Sequence, residues 1–257
     1  MSGEPVIRVE RLTAKYGERT IFDDVSFEVR RGEVFVILGG SGCGKSTLLK
    51  HMIGLYRPAA GHVWIEGEDV SAAEGEARQK ILRGIGVMYQ SGALFGSMTL
   101  LENVMLPLEE FTDLPAEARD FVARTKLRLV QLEGFEDFFP AEISGGMKKR
   151  AAIARAMALD PEILFLDEPS AGLDPITAAE LDSTILRLAR TLGVTFVVVT
   201  HELASIYAIA DRVIMLDQRK RGIIASGTPE ELRDRSEDPF VRAFFRRESI
   251  PEEVRGS

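Results

Sequence analysis

Four places in this sequence set polar, chemistry-bearing side chains directly after a run of apolar residues. The first is Gly39-Gly40-Ser41-Gly42-Cys43-Gly44-Lys45-Ser46-Thr47, which follows Val34-Phe35-Val36-Ile37-Leu38. Gly, four residues, then Gly-Lys-Ser is the spacing of a phosphate-binding loop, in which glycines let backbone amides point inward around an anion and the next helix presents its positive end. Lys45 would reach β- and γ-phosphates, and the Ser46 hydroxyl is placed to ligate Mg²⁺. Asp167-Glu168 ends the run Ile163-Leu164-Phe165-Leu166. There a carboxylate for Mg²⁺ (Asp167) stands beside a general base for an attacking water (Glu168). His201 follows Val197-Val198-Val199-Thr200, and Gln90 follows Gly86-Val87-Met88-Tyr89. Alone, His201 reads as readily as a structural hydrogen bonder, and Gln90 as a surface amide; convergence with the other strand ends favours chemistry for both.

The elements that must hold these residues are strands and crossover helices. Val34–Leu38, His62–Glu66, Gly86–Tyr89, Ile163–Asp167 and Val194–Thr200 read as strands, with a helix after Asp174-Pro175 that carries Leu181, Ile185, Leu188 and Leu192 on one face. Strand, helix, strand of this kind is a parallel crossover unit, and ligands in such folds sit at the carboxyl ends of the strands. Ahead of this core, Val6–Thr13 and Thr20–Val29 suggest an antiparallel pair turning at Tyr16–Arg19. Ala72–Leu82 reads as a helix. From 91 to about 160 the pattern turns helical: Ala118, Val122, Thr125, Leu129 and Leu132 mark one face of a helix ending near Gly134, and Ser144-Gly145-Gly146 opens a second, Met147–Leu159. The amides at that opening form a second anion-binding terminus, in a different subdomain from the first, unless they belong to an ordinary capped helix.

With 257 residues the chain can bury a large core. Its composition, 45% hydrophobic and 28% charged, is globular, and a net charge of −8 argues against a nucleic-acid partner. The single cysteine, Cys43, rules out an intrachain disulfide; within the loop it reads as a small tolerated side chain rather than an activated thiol. Met1–Pro5 does not resemble a secretory signal. Residues 84–101 carry no charge, but their glycines, Gln90 and hydroxyls make them too polar for a membrane span.

Taken together, these motifs resemble the ATP-binding cassette (ABC) ATPases over about Val6–Arg247. Gly39–Thr47 matches the Walker A motif, Ile163–Asp167 the Walker B motif, Glu168 the catalytic glutamate, Gln90 the Q-loop, Ser170–Asp174 the D-loop, His201 the switch histidine and Tyr16 the aromatic that stacks on adenine. Ser144-Gly145-Gly146 matches the signature motif, which in the family closes on ATP held by the opposite subunit. The resemblance implies an α/β fold with a P-loop, RecA-like core, an N-terminal antiparallel β subdomain and an inserted helical subdomain (about 91–160), in a single domain over 5–238 with a helical extension over 239–257. It implies ATP and Mg²⁺ as cofactors, with Ser46, Gln90 and Asp167 at the metal. Glu168, His201 and Lys45 would be catalytic, and Ser144, Gly145, Gly146 and Asp174 would reach ATP in trans in a head-to-tail dimer.

The signature departs from the usual Leu-Ser-Gly-Gly-Gln: here it is Ile143-Ser144-Gly145-Gly146-Met147 followed by Lys148-Lys149-Arg150. With Gln90–Phe95 and Gly172–Thr177 it resembles the branch that energises MCE-type phospholipid transport, the Mla-like systems of Gram-negative bacteria. That branch implies transmembrane permease subunits, a STAS-domain protein and an MCE lipid-binding protein as partners, at the cytoplasmic face of the inner membrane. Phe95, Leu100 and Leu101 would line a groove for a permease helix or else pack in the core, and the amphipathic stretch Pro239–Arg247 would reach a neighbouring ATPase or fold on its own chain. An ATPase for amino-acid import or efflux, a soluble ABC ATPase of DNA repair or translation, and a nucleotide-binding regulator without turnover are the competing readings.

Overall fold

The computed structural model describes residues 4–249. Its strands and helices in chain order begin β1 (Pro5–Tyr16), β2 (Arg19–Arg30), β3 (Val34–Gly39), α1 (Lys45–Met52), β4 (Ala60–Ile65), β5 (Glu68–Asp69), α2 (Gly75–Arg83) and β6 (Ile85–Met88). Next come α3 (Leu100–Phe111), α4 (Ala116–Leu129), α5 (Gly145–Ala156), β7 (Ile163–Asp167), α6 (Pro175–Leu192) and β8 (Thr195–Val199). The chain continues with α7 (Leu203–Ile209), β9 (Arg212–Asp217), β10 (Gly222–Gly227), α8 (Pro229–Arg235) and α9 (Pro239–Arg246). Two compact units emerge, one from the described residues up to 73 with those from 199 onward, the other from 74–198.

In the first unit β2, β1, β4 and β5 form an antiparallel sheet in that order, the N-terminal β subdomain expected from the sequence. β3 pairs in parallel with β9, in a register that ends at Gly39 opposite Leu216, and β9 pairs antiparallel with β10. All six β3 residues are buried, as a strand covered on both faces requires. α9 folds on its own unit: Val241, Ala243 and Phe245 are buried, and the Tyr207 hydroxyl donates to the Phe245 carbonyl at 3.0 Å. Reach toward a neighbouring ATPase therefore does not come from this apolar face, and residues 250–257 of the expected extension lie outside the described residues.

In the second unit β6 and β7 are parallel, with Ile85 opposite Ile163 and Met88 opposite Leu166, and β8 lies next to β7. The β7–α6–β8 crossover is as expected, with Leu181, Ile185 and Leu188 buried; Leu192, in the last turn, is exposed instead. The expected face of α4 is displaced. Ala118, Val122, Thr125 and Leu129 are only half-buried, and Leu132 is buried but lies past the helix, which ends at Leu129 rather than near Gly134; Ala123, Lys126 and Leu127 face the core, with Val130 just beyond the helix. Lys126 is among the buried residues and its ammonium pairs with the largely exposed Asp160 carboxylate, so a charged residue occupies a core position that hydropathy spacing assigns to the outside. Helix α3 was not anticipated. Pro107 inside it reads as a breaker, yet a capping box joins Thr99 and Glu102 at its start. α7, β9, β10 and α8 likewise had no sequence expectation. Among the described residues no helix is long and apolar enough to cross a membrane.

Candidate nucleotide site

The first unit contributes the phosphate loop. β3 ends at Gly39, which a Cβ could not occupy, because it would lie 2.4 Å from the Leu216 carbonyl oxygen and 2.5 Å from the Cys43 sulfur. Gly40, Ser41 and Gly42 are exposed, and Gly42 (φ +77°) and Gly44 (φ +101°) adopt left-handed backbone that turns the chain into α1. Gly44 is the N-cap of α1 and supplies no side-chain acceptor, so the helix presents its positive end without a cap of its own. The Lys45 ammonium arches back onto the carbonyls of Gly39 (2.8 Å) and Gly40 (3.1 Å), over the mouth of the loop. Cys43 is buried beneath it, and burial pushes its thiol pKa up against the opposing effect of Lys45. It is a packing residue, not an activated thiol.

Two further candidates belong to this unit. The Thr200 amide donates to the Ile37 carbonyl at 3.3 Å, which brings His201 to the end of β3 from which the phosphate loop springs. His201 is exposed and lies 3.5 Å from Glu202. Tyr16, at the end of β1, is half exposed and meets the edge of Tyr56 at 6.1 Å between ring centres. Tyr56 in turn meets His51 at 5.8 Å, and His51 Nδ1 lies 2.8 Å from the Thr47 carbonyl. A row of three rings thus connects the candidate base-stacking residue to the helix of the phosphate loop.

The second unit contributes the carboxylates. Because Met88 stands opposite Leu166, the chain leaves β6 toward Gln90 and leaves β7 toward Asp167 and Glu168 at the same end of the parallel pair. Asp167 is half-buried, and Glu168 is buried with φ +48°. A left-handed conformation at a non-glycine residue costs about 1–2 kcal/mol, and such strain gathers at working sites. Gln90 is exposed, and its main-chain carbonyl accepts from the Lys149 ammonium.

The same unit carries the second helix terminus. Ser144 caps α5, its hydroxyl accepting from the Met147 amide at 3.2 Å. Gly145 is exposed, but Gly146 is buried where a Cβ would meet Thr177 Cγ2 at 2.2 Å, so this glycine seats α5 against α6. Asp174 caps α6, accepting from the amides of Ile176 and Thr177, both at 3.1 Å, and from the Thr177 hydroxyl at 2.5 Å. Those donors, the Thr177 hydroxyl foremost, hold its carboxyl below the usual range.

Sequence reasoning missed two cations. Lys149 is buried, and burial pulls its pKa down against the opposing effects of Glu168 and then Asp167. Arg155, six residues further along α5, donates to the carbonyls of Gly92 (2.9 Å) and Ala93 (2.8 Å). The available signal was the basic run Lys148-Lys149-Arg150 at the start of a helix, where cations oppose the dipole and need another reason to be there.

A family model for the ABC transporter matches residues 22–171. The chain belongs to the ABC transporter family. It is 42% identical over 240 residues to the "Probable ribonucleotide transport ATP-binding protein mkl" of Mycobacterium leprae, a match spanning 93% of this chain and 68% of that one. It is 38% identical over 244 residues to the "Intermembrane phospholipid transport system ATP-binding protein MlaF" of Haemophilus influenzae, covering 95% of this chain and 91% of MlaF. Among solved structures, the dimeric post-hydrolysis state of the ATP-binding cassette MJ0796 bound to ADP and Pi superposes with a TM-score of 0.77 at 31% identity, over 86% of this chain and 98% of that one. This ABC protein is an ATP-hydrolysing transporter subunit with the mixed α/β cassette fold.

Proposed function

We propose that two copies of this ABC cassette close on two ATP molecules and that the closure drives a permease moving phospholipid between inner and outer membranes. The observation that carries the substrate is the match to MlaF over nearly its whole length, reinforced by the Gly-Gly-Met signature. In this reading the loop Gly39–Thr47 and Lys45 hold the phosphates and Tyr16 stacks on adenine. The oxygens of Ser46, Gln90 and Asp167 are hard donors that suit Mg²⁺, which when bound would neutralise phosphate charge. Glu168 takes a proton from the attacking water, and His201 steadies the γ-phosphate end. Ser144, Gly145 and Gly146 of the second copy close the far side. Gly146 does so through its backbone, since its α-carbon is committed to α6.

The permease would dock at an open groove of about 490 Å³ in the second unit, lined by Val87, Tyr89, Phe95, Leu106, Phe111 and Arg155. Phe95 is half exposed there, whereas Leu100 and Leu101 are buried core residues, so of the three groove candidates only Phe95 offers a surface. This docking would hold the cassette at the cytoplasmic face of the inner membrane, with an MCE lipid-binding protein and a STAS-domain protein as further partners.

The test is to purify the chain with its permease from native membranes and identify both the permease and any bound lipid. An MCE-associated permease carrying phospholipid is the expected result. A nucleotide permease, as the name of the mycobacterial relative suggests, or an amino-acid permease as sole partner would overturn the lipid assignment. In that complex Glu168→Gln should still bind ATP, accumulate as a dimer on size exclusion and lose turnover by about 10²–10⁴-fold; undiminished turnover would remove Glu168 from the general-base role.

A further inference from the structure

Helix α5 does more than present Ser144 at its N-terminus. From its flank Lys149 donates to the Gln90 carbonyl, and Arg155 donates through both terminal nitrogens to Gly92 and Ala93. The Arg155 guanidinium also lies 5.9 Å above the ring of Phe95. Three of four consecutive carbonyls in the segment 90–93 are thus held by cations from one helix. Gly92 (φ +74°) and Ala93 (φ +49°) are both left-handed, which curls the segment toward those donors. Its far side is tied to α3: the Asn103 side chain accepts from the Phe95 amide at 2.8 Å and donates to the carbonyls of Phe95 (3.1 Å), Met98 (3.1 Å) and Thr99 (2.9 Å).

A buried ammonium spent on a main-chain carbonyl is an expensive way to pin a loop, since the charge has lost its water. What it secures is direction. Fixing the Gln90 carbonyl fixes the peptide plane that follows Gln90, and with it the path along which its side chain leaves the end of β6. We propose that Lys149, supported by Arg155, is a positioning residue that hangs the Gln90 segment from the signature helix, so that Gln90 and Ser144–Gly146 move as one piece. The inference rests on Gln90 being the metal or water contact of the hydrolytic site.

The experiment uses the full-length chain and compares wild type with Lys149→Met, Lys149→Arg, Gln90→Ala and the double variant K149M/Q90A. Methionine keeps the volume and removes the donor, whereas arginine keeps the donor. The expected result for K149M is a fall in kcat of about ten-fold with KM for ATP changed less than about two-fold, because the phosphate loop is untouched. Lys149→Arg should restore most of the turnover. In the Gln90→Ala background, K149M should cost less than about two-fold, since the side chain it orients is already gone. An equal loss in both backgrounds would overturn the proposal, and so would full activity of K149M. Wild-type turnover by Gln90→Ala would instead sink the reading of Gln90 on which the inference depends. Amide exchange supplies a test independent of activity: in Arg155→Lys, residues 91–95 should exchange about five-fold faster or more, with 163–167 unchanged. Unaltered exchange at 91–95 would refute the tether.

Discussion

The two glycine-bearing helix termini of this chain, Gly39–Thr47 before α1 and Ser144–Gly146 before α5, look interchangeable as sequence but are built on different principles. At α1 the N-cap is Gly44, left-handed and without a side chain to bond the first amides, and Lys45 folds over the opening. At α5 the N-cap is Ser144, in extended backbone, with its hydroxyl already accepting from Met147. A terminus with no cap of its own leaves its amides for an incoming anion, whereas a capped one is stable by itself. At α1 the first amides are therefore left without a side-chain partner, whereas at α5 the Met147 amide is already satisfied by the Ser144 hydroxyl.

That contrast can be broken experimentally, most severely at the first terminus. Lys45→Ala should weaken ATP binding by about 10- to 100-fold, the worth of a hydrogen bond from a charged donor, measured by titration calorimetry. Gly44→Ala should do comparable damage by a different route: φ +101° excludes an ordinary side chain, and the added Cβ would sit 2.8 Å from Ile21 Cγ2. At the second terminus the largest effect belongs to Gly146→Ala, whose methyl would collide with Thr177 Cγ2 at 2.2 Å. Overpacking of this kind costs about 1–3 kcal/mol in a denaturant melt, and Thr177→Ser, which deletes that methyl and keeps the hydroxyl, should recover most of it. Ser144→Ala should cost about 1 kcal/mol through the lost cap, while Gly145→Ala, whose Cβ would make only a 3.4 Å contact with Leu173, should leave stability nearly unchanged.

The smallest effect is a pH dependence in the seat of α5. Asp174 caps α6, and its folded pKa lies below the ordinary 3.8, so its contribution is complete above that value and fades as pH falls through the depressed one. Asp174→Ala should therefore lower the melting temperature at pH 7, with the gap from wild type narrowing under strong acid. A constant gap would mean that the side chain acts otherwise than as a charged cap.

The same contrast explains what the sequence reveals and what it hides. The phosphate loop, the buried strands β3 and β7, the crossover through α6 and the Ser144 cap are legible because each is a local pattern, a few adjacent residues whose types suffice. The buried face of α4 and the tether from α5 are not, because both depend on a lysine in the interior. Lys126 against Asp160 and Lys149 against the Gln90 carbonyl are contacts over 34 and 59 residues, and only the fold supplies the partner that makes burial tolerable. Helix α3 falls between these cases. Its capping box is a local pattern of Thr99 and Glu102, but the helix also tolerates Pro107 in its interior, which local pattern disfavours.

The thiol sealed under the phosphate loop has a use of its own. Cys43 is 2% exposed, its sulfur lies against Gly39, and burial keeps it in the unreactive protonated form. A maleimide can therefore reach it only in the moments when the loop lifts away from β3. As the chain's sole cysteine it is a built-in clock. Its labelling rate counts loop openings directly, and the factor by which ATP slows that rate measures how firmly a bound nucleotide latches the loop shut.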